Sequence, residues 1–187
     1  MRTALWILAV ISAASPVRAQ DVIEWSSERR LSRADFKGRV PSAAGNASMS
    51  RLSIDLSWGC EADELVASAR ATFDPSQSWW RPASANVWSA ERRGAHRDSQ
   101  LLEHEQVHFD LTEIFARRIR KRFHELKDAC GEPGGADSVR DDIERINRDL
   151  QDTQRRYDRE TGHGTNGVAQ LRWVGRVRKL LGAARSR

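Results

Sequence analysis

The run DSQLLEHEQVHFDLTEIFARRIRKRFHELK, residues 98–127, contains neither Gly nor Pro. Leu101, Leu111, Ile114, Phe115 and Ile119 recur within it at an approximate 3.6-residue period, so it predicts an amphipathic helix. Inside that helix lies His104-Glu105-Gln106-Val107-His108, an H-E-x-x-H arrangement. Positions i and i+4 share one helix face, so both imidazoles can reach one ion. Glu105 projects about 100° around the helix from them, beside the ion rather than on it, where a carboxylate can serve as general base toward water. The spacing predicts His104 and His108 as metal ligands and Glu105 as a catalytic residue, with Zn2+ as the cofactor.

Outward from this helix the chain changes character in both directions. Gly131-Glu132-Pro133-Gly134-Gly135 ends the helical pattern. A second helix is expected from about Asp137 or Ser138 to about Glu160, with Val139, Ile143, Ile146 and Leu150 as its apolar stripe and Gly162 as its capping glycine. A third is expected over Asn166 to Leu181. Toward the N-terminus, Leu52 to Trp58 alternates apolar and polar residues, the pattern of a half-buried strand. Leu65 to Phe73 alternates less cleanly, and Gly59 to Asp63 suits a hairpin connection. Ile23–Trp25 and Arg30–Leu31 are candidate short strands, and Pro82 opens a loop. The expected architecture is α+β: a small antiparallel sheet packed with three C-terminal helices.

Composition bounds the class. Of 187 residues, 39% are hydrophobic and 30% charged, which excludes a disordered chain. Residues 1–19 have the pattern of a signal peptide: Arg2 first, an apolar stretch from Ala4 to Ala14, then Val17-Arg18-Ala19 as a small-x-small cleavage site. Residues 20–187 then form one domain, exported to the periplasm or beyond, with no transmembrane segment after cleavage. Removing Arg2 and Arg18 from the 31 basic residues leaves 29 against 26 acidic ones, a net charge of +3. The basic run Arg117 to Arg122 wraps more than one helix face, so it reads as solvated surface, and no nucleic-acid partner is expected. In an oxidising compartment Cys60 and Cys130 pair, closing a loop of about 70 residues. The seven Trp are expected mainly in the core.

A catalytic zinc needs a third protein ligand and an open position. His124 lies sixteen residues past His108, about 24 Å along the helix, and cannot join. His96 precedes the motif by eight residues, and Glu113 points away from it. Tyr157-Asp158-Arg159-Glu160-Thr161-Gly162-His163-Gly164 places one phenol, two carboxylates and one imidazole at a helix end. His163 is the first candidate for the third ligand, followed by Glu160 and Asp158. Tyr157 is either a phenol that stabilises a developing oxyanion or a core aromatic.

Several segments resemble the domain-of-unknown-function family 922, whose members are described as secreted zinc-dependent proteases. Leu31-Ser32-Arg33-Ala34-Asp35-Phe36-Lys37-Gly38 is similar to the family's L-x-W-x-D-F-x-G, with Arg33 in place of Trp. Ser78-Trp79 matches its central S-W. Leu102 to Asp110 matches its L-x-H-E-Q-x-H-F-D core. Tyr157 to Gly164, with Gln170 and Trp173, resembles its C-terminal block. The resemblance implies an exported zinc metalloprotease with a zincin-like active-site helix and a peptide or protein substrate. Two other functions share the motif: a non-catalytic envelope module with a closed four-ligand site from His104, His108, His163 and Glu160, and a zinc amidase acting on cell-wall amides.

Overall fold

A computed structural model of the chain describes residues 22–45, 47–81 and 88–183. The expected leader, the loop at Pro82 and the His96 side chain lie outside the described residues. The architecture is α+β, with small antiparallel sheets in the N-terminal half and three helices after them. Strands are β1 (Ile23–Glu24), β2 (Ser48–Met49), β3 (Leu52–Glu61), β4 (Glu64–Phe73) and β5 (Trp79–Trp80); helices are α1 (Trp88–Glu125), α2 (Gly135–Thr161) and α3 (Gly167–Ala183). None of the described helices is long and apolar enough to cross a membrane.

The hairpin β3–β4 runs in continuous antiparallel register from Leu52 opposite Phe73 to Glu61 opposite Glu64. Its turn is shorter than expected. Ala62 and Asp63 both take positive φ, 49° and 67°, the two-residue turn whose twist matches its flanking strands, so Gly59 and Cys60 belong to the strand. β1 adds to the other side of β4, giving the order β1-β4-β3. Arg30 and Leu31 form no strand; the Leu31 N–H instead donates to the Gln106 side chain at 2.7 Å. β2 and β5 pair in a separate two-stranded sheet, which no alternation in their short sequences foretold.

α1 begins at Trp88, ten residues before the segment expected to be helical, and runs through Gly94. Although its pattern suggests one apolar stripe, α1 is buried on several sides and bridges two cores. On one side Val107, Leu111 and Ile119 meet Val139, Ile143, Ile146 and Leu150 of α2 and Trp173, Val174 and Val177 of α3. On the other, Phe109 and Ala116 join Phe36, Phe73 and Trp80. Trp79, Trp80 and Trp173 are all buried. The basic run at the end of α1 is engaged within the fold: Arg117 and Arg120 each meet Glu113 at 2.7 Å, and Arg122 meets Asp142 at 2.5 Å. Cys60 and Cys130 are disulfide-bonded, joining the tip of the hairpin to the connection after α1.

Candidate metal centre

The helical spacing of His104 and His108 sets both rings toward the facing side of α2, with their Nε2 atoms 3.1 Å apart. Asp158 approaches from α2; its Oδ1 lies 3.1 Å from His104 Nε2 and 2.8 Å from His108 Nε2. These three atoms form the one group of potential ligands found among the described residues. Ligand atoms around a tetrahedral zinc, bonded at about 2.0–2.1 Å, stand about 3.3 Å from one another, so the triangle is close to the required size.

The tautomers reinforce that fit. Gln154 Nε2 donates to the His108 carbonyl at 3.0 Å and to Thr112 Oγ1 at 3.2 Å, which turns its Oε1 toward His108 Nδ1. Gln170 Oε1 accepts from the Tyr157 hydroxyl at 2.8 Å and faces His104 Nδ1 at 3.3 Å. With each Nδ1 proton donated to a carbonyl oxygen, each Nε2 carries a lone pair directed at Asp158. In that tautomer the three atoms could together hold a cation. Burial favours the neutral His108 ring, but Asp158 and Glu105 outweigh it and hold its pKa above the ordinary value. Burial likewise opposes ionisation of Asp158, yet the two imidazoles beside it hold its carboxyl well below the usual carboxylate range.

Glu105 is buried beside the triangle and is held by two hydroxyls: Ser48 Oγ donates to Oε1 at 2.6 Å and Ser50 Oγ to Oε2 at 2.5 Å. No sequence pattern singled out these serines, which are 57 and 55 residues away. The motif Ser78-Trp79 places them. Ser78 Oγ accepts from the Arg51 N–H at 2.8 Å, and Trp79 pairs with Met49. Gln106 and Asp110, on the opposite side of α1, receive the Leu31 N–H and the Trp25 indole N–H at 2.7 and 2.8 Å and so anchor the N-terminal segment.

The structure redistributes the expected C-terminal ligands. His163 does not join the triangle. Its side chain is 66% exposed at the rim and its Nδ1 lies 3.6 Å from Asp158 Oδ1. The physical reason is the turn: Gly162, His163 and Gly164 all take positive φ and carry the chain out of α2 before His163. Glu160 also points elsewhere, accepting from Trp173 Nε1 at 2.8 Å. Tyr157 is fully buried, and its ring stacks on His104 at 4.6 Å. Its hydroxyl is committed to Gln170, so its contacts are those of the core aromatic, not of a group facing substrate. Gly164 is required by contact as well as by φ: a Cβ there would stand 3.0 Å from His104 Cβ. The centre opens onto a cavity of about 800 Å³, which leaves space beside the three ligand atoms.

Fold and site together define an α+β protein with a His-His-Asp cluster at the meeting of two helices and a buried glutamate alongside. The chain belongs to the family described as bacterial protein of unknown function (DUF922), whose model matches residues 16–164. No curated protein and no solved structure matches it.

Proposed function

We propose that the chain is an exported zinc-dependent peptidase in which His104, His108 and Asp158 would hold the metal. The observation that carries this reading is the convergence of one ligand atom each from His104, His108 and Asp158, with a glutamine carbonyl facing the far nitrogen of each imidazole, at the wall of an open cavity. When bound, zinc supplies Lewis acidity that lowers the pKa of water toward about 7 and polarises a carbonyl. Glu105 takes the proton from the attacking water and delivers it to the departing amine. Ser48 and Ser50 keep the Glu105 carboxylate aimed at that point.

An extended peptide is best accommodated along β2. The Arg81 N–H donates to the Ala47 carbonyl at 2.8 Å, and Met49 faces Trp79, so alternation along the antiparallel ladder turns the N–H and C=O groups of Ser48 and Ser50 away from β5. Residues Ala47 to Leu52 line the cavity, so this edge, rather than the β3–β4 hairpin, lies beside the centre and suits strand addition. The three-ligand geometry favours an enzyme over a closed structural site, because neither His163 nor Glu160 completes a fourth position.

The test combines metal analysis with cleavage of a peptide library by the mature protein. Wild type binds one zinc per chain and His104→Ala binds none. Glu105→Gln retains zinc but cleaves at least about 100-fold more slowly, the scale of a general base. Near-wild-type cleavage by Glu105→Gln rejects Glu105 as the base.

A further inference from the structure

The cavity extends well beyond the centre, and its charge is unevenly distributed. Glu105 and Asp158 are the carboxylates that line it among the described residues, and both are engaged at the centre. Arg51 and Arg97 line it too, reaching it from different walls: Arg51 from the β2–β3 connection and Arg97 from α1. Both are exposed, and among the described residues no carboxylate lies within ion-pair distance of either. The arginines at the other end of α1 behave differently, with Arg117, Arg120 and Arg122 all paired to Glu113 or Asp142.

A divalent ion is balanced by Asp158 and Glu105, since the imidazoles are neutral ligands. Among the described lining residues two guanidinium charges are then left over, facing the space a substrate would fill. Charged groups lining a cleft favour a ligand of opposite sign, and the guanidinium fork matches a carboxylate. Arg51 follows Ser50, whose hydroxyl holds Glu105, so it lines the cavity one residue from the support of Glu105. Arg97 precedes His104 by two helical turns, about 10 Å along the axis. That is the length of about three extended residues.

We infer that the substrates are acidic peptides, with Asp or Glu side chains flanking the cleaved bond, one of them about three residues away on the Arg97 side. This deepens the peptidase reading and rests on it.

The test uses two blocked peptides with the same apolar centre, one flanked by Glu and the other by Lys. Their binding to the zinc-loaded mature protein, with a non-cleavable ketomethylene in place of the central amide of each peptide, is measured by fluorescence anisotropy at low and high salt, and again with Arg51→Gln and Arg97→Gln. The Glu peptide is expected to bind about tenfold more tightly at low salt, as two exposed ion pairs allow. The preference shrinks at high salt. It also disappears in the variant lacking both arginines, which keeps its zinc. Equal binding of the two peptides, no binding of the Glu peptide, or a preference that survives removal of both arginines overturns the inference. Cleavage of the all-amide peptides by the wild type separates the two readings. If both peptides are cut but bind alike, the charge preference fails and the peptidase stands. If neither is cut by zinc-loaded protein, the peptidase reading fails, and with it the inference that rests upon it.

Discussion

Asp158 follows Gln154 by four residues, so both lie on the face of α2 that meets α1, where they touch the same imidazole from two sides. His163 is one residue beyond the Gly162 cap and has left that face. Asp158→Ala should therefore weaken zinc binding by more than the roughly 10–100-fold that loss of an outer partner costs, while His163→Ala changes it little. Zinc titration by calorimetry decides between them; the reverse order would restore His163 as the ligand. Gln154 and Gln170 are such outer partners. Gln154→Leu should cost about 10–100-fold in zinc affinity, because His108 Nδ1 loses the acceptor that sets its tautomer. Gln170→Leu should act in the same way at His104 and also lower stability by about 1 kcal/mol, since the buried Tyr157 hydroxyl loses its closer acceptor and keeps only the His104 carbonyl at 3.3 Å.

The centre depends on α1 and α2 holding their mutual alignment. Val139, Ile143, Ile146 and Leu150 form the buried stripe of α2 at three- and four-residue spacings, and Tyr157 and Thr161 continue it to the site. Farther along, Arg122 donates from both Nε and an Nη to Asp142 Oδ2 at 2.8 and 2.5 Å and clamps the two helices. Burial opposes ionisation of Asp142, but Arg122 and Arg145 outweigh it and hold its carboxyl below the ordinary value. A carboxyl depressed in this way adds stability above its unfolded pKa, near 4, and loses it as pH falls through the folded value. Arg122→Gln should therefore lower the thermal midpoint at pH 7 and flatten its fall between pH 5 and 3. Melting curves across that range check this, and parallel curves for the two proteins would contradict it.

Across the whole molecule, the disulfide ties the hairpin tip to the α1–α2 connection across 70 residues. Closing a loop of that length stabilises the fold by about 4 kcal/mol in the chain-entropy account. Replacing Cys60 and Cys130 together by Ser should lower the midpoint by roughly 10 °C for a chain of this size. Zinc stoichiometry should be unchanged, because the bridge lies away from the triangle. The helices, the hairpin and the His104-Glu105-His108 face were legible in the chain, since each is written at a local spacing of two, three or four residues. The residues around that face were not. Ser48 and Ser50 belong to a strand too short to alternate, and they reach Glu105 only because Ser78 and Trp79 fix the segment between β2 and β3. In one dimension His163 ranked ahead of Glu160 and Asp158 as the third ligand. What separated them was direction, set by the helical phase of α2 and the left-handed turn that ends it. Local periodicity thus determined the helices, the hairpin and which two imidazoles share a face. The third candidate ligand, the support of Glu105 and the charged walls of the cavity followed only from packing, because they join segments that no short-range spacing connects.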